Sequence, residues 1–184
     1  MSPSLPASLT PHLILGGARS GKSTYAESLL LNHPPTYVYV ATATVLDDEM
    51  EARVRTHRDR RGSDWRTLEC PLDLTQCLDS LRGSPSPVLV DCLTLWLSNL
   101  ILDPRANDLA PFLDAFCRTV ASVDYPLYLV SNEVGAGIVP ENELARRFRD
   151  WAGWTNQRVA AVCSSVTLVV AGLPVALKRP GTPS

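Results

Sequence analysis

The sequence predicts a single α/β domain in which helices cover both faces of a mostly parallel central sheet. Three observations lead to this fold class: the chain has 184 residues, its apolar runs are short and continuous, and segments with helical patterns fill the intervals between them. A chain of this length forms one domain with a substantial core. Continuous apolar strands, as opposed to alternating ones, are typical of a parallel sheet that is buried on both faces.

Five apolar runs predict strands, and residues 36–43, with the sequence TYVYVATA, are the richest in β-branched and aromatic side chains. The other predicted strands are residues 12–15, 87–90, 127–130 and 166–171. Helices are predicted over residues 22–31, 47–58, 93–102, 111–123 and 141–162. In the last of these, Leu144, Phe148, Trp151 and Thr155 recur at intervals of four, three and four, which predicts one stripe that faces inward.

Composition narrows the class of protein. Hydrophobic residues make up 45% and charged residues 20% of the chain, which is average for globular domains, and the net charge of −2 argues against a general nucleic-acid binder. The five cysteines are odd in number, widely spaced and without a CxxC pair, so reduced thiols in a cytoplasmic protein are expected. No apolar run approaches the ~18 residues of a membrane span. Residues 1–11 are predicted to be a flexible Pro/Ser-rich extension, and residues 12–184 the domain.

Residues 16–23 read GGARSGKS and match the phosphate-loop pattern G-x-x-x-x-G-K-[ST]. Glycine at the fixed positions allows backbone N–H groups to approach and surround phosphate oxygens at the start of the following helix. Lysine supplies a positive charge for the β and γ phosphates, and the last hydroxyl is a ligand for Mg²⁺. The predicted nucleotide-binding residues of this loop are Gly16, Gly17, Ala18, Arg19, Ser20, Gly21, Lys22 and Ser23, with Lys22 also predicted to be catalytic.

Asp91 ends the apolar run PVLV and is the predicted second magnesium ligand, beside Ser23. The alternative is that this aspartate is simply a strand-end residue, or that it caps the helix predicted at Leu93–Leu102, because aspartate is a good N-cap residue. No guanine-reading NKxD segment is present, which disfavours a switch GTPase.

An arginine-rich segment surrounds His57. If residues 47–58 and their continuation are helical, Arg53, His57 and Arg61 share one face, with Arg58 and Arg60 beside them. One reading is an exposed helix whose arginines pair with the acidic residues at its start. The other is covalent catalysis: an imidazole attacks phosphorus while the arginines keep it unprotonated and stabilise the phosphoryl oxygens.

Several motifs together resemble one family, the bifunctional adenosylcobinamide kinase/adenosylcobinamide-phosphate guanylyltransferases. The motifs are GGARSGKS, ATATVLDDEMEARVRTHR, DWRTLE, VLVDCLTLWLSNL, VSNEVGAGIVPENELARRFRDWAG and NQRVA. They follow one another in this order over nearly all of residues 13–178, and the SNEVG segment with its continuation is far more specific than the phosphate loop.

The resemblance implies a RecA-like P-loop fold and two activities in cobalamin biosynthesis. The enzyme would phosphorylate adenosylcobinamide with ATP or GTP, and would then transfer GMP from GTP to adenosylcobinamide phosphate through a covalent bond to His57. Guanine-nucleotide contacts are implied at Thr42, Ala43, Arg58, Asp59, Arg60, Arg61, Glu69 and Asp91. The resemblance also implies a homo-oligomer, specifically a trimer, while Mg²⁺ is expected from the phosphate loop and Asp91.

Some alternatives stay open at this level. A plain P-loop kinase without the guanylyl step would use the same loop, and a nucleotide-responsive regulatory protein would bind without turnover. Asn132 and Glu133 of the SNEVG segment either shape the nucleotide or corrinoid pocket or form a turn. Leu95, Trp96 and Leu100 are expected in the core and not on a corrinoid-binding surface.

Overall fold

The computed structural model describes residues 10–43, 62–106 and 108–181. The strands in these ranges are β1 (His12–Gly16), β2 (Tyr37–Ala41), β3 (Trp65–Glu69), β4 (Val88–Asp91), β5 (Leu127–Asn132), β6 (Ser165–Val170) and β7 (Leu173–Lys178). The helices are α1 (Lys22–Leu30), α2 (Leu74–Asp79), α3 (Leu93–Leu102), α4 (Ala110–Ser122) and α5 (Glu143–Val162).

All seven strands belong to one sheet, in the order β3-β2-β4-β5-β1-β6-β7. Every neighbouring pair is parallel except β6 and β7, which form an antiparallel hairpin at one edge. The mostly parallel sheet predicted from the continuous apolar runs is therefore confirmed. The carboxyl ends of the six parallel strands lie at the same edge of the sheet, where ligand sites of such folds are built.

Helices cover both faces, as predicted. On one face, Ala26 and Leu30 of α1 pack against a cluster of strand side chains that includes Ile14, Tyr39 and Val130. The other face carries α2 to α5 and the larger part of the core. The predicted core positions Trp96 and Leu100 are almost fully buried, at 1% and 2% exposed, and Leu95 is half-buried.

Three elements were not predicted, and all three carry weak signals. In β3 the side chains are half-buried or exposed, because the strand lies at one edge of the sheet. The helix α2 is only six residues long. The strand β7 contains Pro174 and is exposed over most of its length at the opposite edge, so it does not form a continuous buried run.

Two predictions for the longest helix were wrong. The helix begins at Glu143 and not at Glu141, because the side chain of Asn142 accepts a hydrogen bond from the backbone N–H of Ala145 and caps it. Leu144 is 47% exposed, so the inward stripe does not reach the first turn. Thr155 further along the helix is buried as expected.

Other predictions concern chemistry and parts of the chain outside the description. All five cysteines are free thiols. Among the described residues, none of the helices combines the length and apolar character needed to cross a membrane. The helix predicted at 47–58 and most of the predicted N-terminal extension lie outside the described residues.

His12 places a buried imidazole on the first strand of the sheet. It is 7% exposed, and its Nε2 lies 2.8 Å from the Oγ1 of Thr167 on β6. Burial lowers the pKa of His12 from 6.5 to about 4, because a charged imidazolium is poorly solvated there. Above pH 6.5 the histidine is neutral in both folded and unfolded chains. As the pH falls from 6.5 towards 4, the unfolded chain binds the proton first, and stability is lost.

We therefore expect His12→Asn to flatten the pH dependence of unfolding. The depressed pKa predicts that wild-type protein loses about 2 kcal/mol from this residue between pH 7 and pH 5. Urea unfolding at pH 7 and at pH 5 measures this loss in the free energy of unfolding. His33→Asn is the control, because His33 is more exposed than His12. Equal losses in wild type and His12→Asn would contradict the assignment.

Candidate active site

The register of the parallel strands aligns the predicted site residues at one edge. Ala41 of β2 lies opposite both Glu69 of β3 and Asp91 of β4, and Gly16 of β1 lies opposite Asn132 of β5. The ends of five neighbouring strands therefore meet in one row. Glu69 is exposed and lies at the far end of this row, since β3 is the edge strand.

The phosphate loop connects the end of β1 to the start of α1, which is the context predicted for it. Glycine is required at Gly16, because a β-carbon there would lie 2.4 Å from the Oγ of Ser20 and 2.7 Å from the carbonyl oxygen of Val169. Gly21 has a φ of 93°, a left-handed conformation that glycine adopts without strain. The two fixed glycines of the motif are thus needed for different reasons: a lack of space at Gly16 and a positive φ at Gly21.

Lys22 is buried, with 9% of its surface exposed, and its ammonium turns back over the loop. Its Nζ donates a hydrogen bond to the carbonyl oxygen of Gly17 at 3.0 Å. This places a positive charge at the backbone that would surround phosphate oxygens. A phosphate is a stronger acceptor for an ammonium than a neutral carbonyl, because the bond is then charge-assisted on both sides.

The turn between β6 and β7 supports the phosphate loop from the side. Val170 pairs with Leu173, so Ala171 and Gly172 form a two-residue turn, with φ values of 52° and 79°. The backbone N–H of Gly172 donates to the carbonyl oxygen of Ser20 at 2.8 Å. A β-carbon added at Gly21 would lie 3.2 Å from the Cα of Gly172, so the two backbones are in close contact.

The sequence reasoning missed this support. The last predicted strand ends at Ala171, and no element is predicted for Gly172. The motif Ala-Gly between two apolar runs is the signal that could have indicated a hairpin, because glycine favours the positive φ of a tight turn.

Asp91 faces the side of the sheet on which α1 and the phosphate loop begin. Along β4 the side chains alternate, and Leu89 belongs to the cluster under α1, so Asp91 two residues later lies on the same side. Its Oδ2 accepts a hydrogen bond from the phenol of Tyr39 at 3.1 Å. The N-cap position of α3 is Cys92, and no side-chain cap is formed, so the capping alternative for Asp91 was wrong.

The donor set fits a magnesium ion carried by a nucleotide. Ser23 lies half-buried in the first turn of α1, and Asp91 is half-buried at the end of β4. One strand, β5, separates β1 from β4, so the two strand axes are about 10 Å apart. Within the described ranges there is no group of three or more His, Cys, Asp or Glu side chains that could hold a metal by itself. Mg²⁺ commonly binds through one or two protein ligands, substrate phosphates and water.

Just beyond the carboxyl ends of β2 and β4, the buried side chain of Thr42 ties the two strands together. The hydroxyl of Thr42 accepts from the backbone N–H of Cys92 and donates to its carbonyl oxygen, each at 2.7 Å. Asn99 of α3 donates to the carbonyl oxygens of Thr42 and Pro71, at 2.8 and 2.9 Å. The Thr42 side chain therefore holds the strand ends together, and its predicted nucleotide contact stays a prediction, as does that of half-buried Ala43.

A second set of hydrogen bonds ties β5 to its flanking helices. The side-chain amide of Asn132 donates to Thr94 of α3 at 2.9 Å. Asn156 of α5 donates to the carbonyl oxygen of Asn132 at 3.1 Å and accepts from Ser131 at 2.7 Å. Asn132 and Asn156 were quoted in the sequence motifs without these roles, because partners so distant along the chain leave no local pattern.

The SNEVG segment forms a turn that starts at the phosphate loop. The backbone N–H of Glu133 donates to the carbonyl oxygen of Gly16 at 3.0 Å, and the Glu133 carboxylate accepts from Gly135 at 2.7 Å. These bonds support the turn interpretation. Ile138 and Val139 beyond it are 96% and 60% exposed.

The histidine and the arginine stretch cannot be added to this geometry. His57, Arg58, Asp59, Arg60 and Arg61 all lie outside the described residues. The structure therefore brings together the phosphate loop, Asp91 and the strand ends beside them. The covalent role of His57 stays a prediction from the sequence.

Comparison with known proteins identifies a family and several relatives that the chain resembles over most of its length. Residues 12–177 match the family described as cobinamide kinase / cobinamide phosphate guanyltransferase. The bifunctional adenosylcobalamin biosynthesis protein CobP of Pseudomonas aeruginosa is 48% identical over 166 residues, covering 90% of this chain and 96% of that protein. The bifunctional adenosylcobalamin biosynthesis proteins CobU of Salmonella typhimurium and Escherichia coli are 42% and 40% identical, each covering 90% of this chain and 98% of the relative.

Solved structures that resemble the chain are distant in sequence and share only its fold. One is PH0250 of Pyrococcus horikoshii OT3, with a TM-score of 0.52, 10% identity and coverage of 91% of this chain and 85% of that one. Another is an ATPase of the type III secretion system of pathogenic bacteria, with a TM-score of 0.52, 9% identity and coverage of 90% and 56%. The family match over residues 12–177 and the relatives at 40–48% identity show that this chain belongs to the cobinamide kinase / cobinamide phosphate guanyltransferase family.

Proposed function

We propose that this protein phosphorylates adenosylcobinamide and then converts the product to adenosylcobinamide-GDP, in the biosynthesis of cobalamin. The observation that carries the proposal is the phosphate loop at the carboxyl edge of the sheet, with the Lys22 ammonium lying over its backbone and Asp91 on the same side. Family membership supplies the two reactions, and the loop supplies a site for the triphosphate that both of them consume.

In the first reaction, the hydroxyl of the aminopropanol arm of adenosylcobinamide attacks the γ-phosphorus of ATP or GTP. A new P–O bond forms, the bond to the β-phosphate oxygen breaks, the nucleoside diphosphate leaves and the hydroxyl proton is released. In such transfers the protein chiefly positions the reactants and neutralises phosphate charge. Lys22 and the backbone N–H groups of residues 16–23 take these roles in our proposal, with Ser23 and Asp91 holding Mg²⁺, which stabilises charge on the phosphates.

In the second reaction, an imidazole nitrogen of His57 attacks the α-phosphorus of GTP. A P–N bond forms and pyrophosphate leaves. A phosphate oxygen of adenosylcobinamide phosphate then attacks the same phosphorus, the P–N bond breaks, and adenosylcobinamide-GDP is formed. The two displacements replace one difficult step, which is the advantage of a covalent intermediate.

Further contacts to the guanine nucleotide are proposed around this edge. Arg58, Asp59, Arg60 and Arg61 would lie beside the bound phosphates with His57. The end of β2, which Thr42 and Ala43 follow, and Glu69 at the end of β3 lie in the same row as Asp91. This arrangement supports contacts between these residues and the guanine nucleotide.

We also propose that the protein is cytoplasmic and assembles as a homotrimer. The free thiols of all five cysteines fit a reducing compartment. At the edge of the sheet, Val170, Leu173, Val175 and Leu177 are 50–70% exposed, and an edge strand with apolar side chains is suited to contact another copy of the chain.

Radioactive GTP tests the covalent step. We expect wild-type protein with Mg²⁺ and GTP labelled at the α-phosphate to become labelled through an acid-labile bond and to release pyrophosphate. His57→Ala should bind nucleotide and remain unlabelled. Lys22→Ala should lose both binding and label, because the phosphates lose their buried positive partner.

His33→Asn is the matched control for the labelling experiment. His33 also presents an imidazole, but it belongs to another segment of the sequence and its Nε2 lies 2.7 Å from the phenol oxygen of Tyr128. It should be labelled like wild type. Labelling that persists in His57→Ala would exclude this residue as the nucleophile, without touching the fold.

Gly172→Ala tests the support of the phosphate loop by the β6–β7 turn. Alanine at a φ of 79° is strained by about 1 kcal/mol, and a shift of the turn would release Ser20. We expect nucleotide affinity to fall about fivefold, which corresponds to about 1 kcal/mol. Gly83→Ala is the control, because Gly83 has a φ of 76° and its backbone N–H donates to Asp124 and not to the loop. Equal affinities of the two variants in calorimetric titration would contradict the supporting role.

Val175→Lys tests the oligomer. A lysine on the exposed edge strand should keep the subunits apart, so we expect light scattering to show three chains for wild type and one for the variant. Leu31→Lys, at a position that is 61% exposed beyond α1, should remain a trimer. A wild-type monomer would contradict the proposed assembly.

A further inference from the structure

We propose that Tyr39 is a positioning residue for the metal-binding carboxylate of Asp91. The phenol O–H donates a hydrogen bond to the Oδ2 of Asp91 at 3.1 Å, across 52 positions of the chain. This inference rests on the proposed role of Asp91 as a magnesium ligand. It adds Tyr39 of β2, a residue for which the sequence predicts no functional role.

The strand register explains how the phenol reaches the carboxylate. Tyr39 lies opposite Leu89 on β4, and Ala41 lies opposite Asp91. Tyr39 and Asp91 are therefore diagonal neighbours on adjacent strands, and the offset of two residues puts both side chains on the same face.

Packing holds the tyrosine ring in this orientation. Tyr39 is 8% exposed and belongs to the cluster under α1, with Ile14, Ala26 and Val130. A buried ring among close-packed neighbours has few alternative rotamers. The core therefore sets the direction of the phenol O–H, and the Asp91 oxygen that accepts this hydrogen bond is held in turn.

Orientation matters for the ion in question. Mg²⁺ requires near-octahedral geometry at short distances, so a ligand carboxylate that rotates freely binds it less well. Hydrogen bonds to ligand carboxylates fix that rotation, and their loss usually lowers metal affinity about 10- to 100-fold. In our proposal, the bond from Tyr39 to Oδ2 limits the rotation of the Asp91 carboxylate and so favours the orientation in which it binds the ion or a water of the ion.

Tyr37 provides a matched comparison on the same strand. It lies two residues earlier, on the same face, and is 6% exposed. Its phenol donates to the carbonyl oxygen of His33 at 2.9 Å and has no part in the Asp91 contact. Tyr37→Phe therefore removes a buried phenol from β2 without touching the proposed metal ligand.

The test measures how much Mg²⁺ is needed for nucleotide binding. Wild type, Tyr39→Phe, Tyr37→Phe and Asp91→Asn are titrated with a GTP analogue that carries a methylene bridge between the α and β phosphates, at Mg²⁺ concentrations from zero upward. We expect Tyr39→Phe to need about tenfold more Mg²⁺ for half-maximal enhancement of binding, with its metal-free affinity unchanged. Tyr37→Phe should behave like wild type, and thermal unfolding shows the general cost of losing either phenol.

The outcomes separate this inference from the function on which it rests. If Asp91→Asn raises the Mg²⁺ requirement and Tyr39→Phe does not, the positioning role of Tyr39 is overturned and the metal role of Asp91 stands. If Asp91→Asn leaves the requirement unchanged, the metal role itself is wrong and the inference fails with it. An equal rise in Tyr39→Phe and Tyr37→Phe would show a general effect of the strand and would also overturn the proposal.

Discussion

The parallel register of β2, β4, β5 and β1 is the constraint on which the rest of the site depends. Backbone hydrogen bonds between these strands fix Ala41 opposite Asp91, and Gly16 opposite Asn132. A slip of one residue in β4 would turn Asp91 to the opposite face of the sheet, away from Tyr39 and from the start of α1. The position that suits this aspartate to its proposed role as a magnesium ligand is therefore a property of the sheet and not of the local sequence.

Buried polar side chains and a hairpin reinforce this register. Thr42 bonds both the N–H and the carbonyl of Cys92, and Asn132 and Asn156 connect β5 to the helices on one side. On the other side, the β6–β7 turn contacts the phosphate loop through Gly172. Because polar groups inside a protein are costly unless paired, such networks specify one arrangement of the strand ends.

The fold was largely predictable from the sequence, because buried parallel strands and amphipathic helices leave strong patterns. The phosphate loop was predictable in detail, since its glycines and lysine follow from the chemistry of phosphate binding. Edge strands were not, because β3 and β7 are exposed and lack a continuous apolar run. The exposed Leu144 shows that a periodic pattern does not by itself reveal where the core ends.

The supporting residues of the site were the least predictable. The pattern predicts only a strand position for Tyr39, and it predicts no element for Gly172. Their contacts, to Asp91 and to Ser20, join parts of the chain that are 52 and 152 positions apart and depend on the folded sheet. For His57 and the arginines beside it, the residues left two readings open and the resemblance to the family favoured the covalent one, but they lie outside the described residues.

The most direct measurement is a crystal structure of the protein with Mg²⁺ and the methylene-bridged GTP analogue. We predict a triphosphate within the backbone of residues 16–23, with the Lys22 ammonium moved from the carbonyl of Gly17 to a phosphate oxygen. The ion should lie between Ser23 and Asp91, with the phenol of Tyr39 still bonded to that carboxylate. A nucleotide bound away from this loop, or an ion with Asp91 in neither its direct nor its water-mediated shell, would contradict the account.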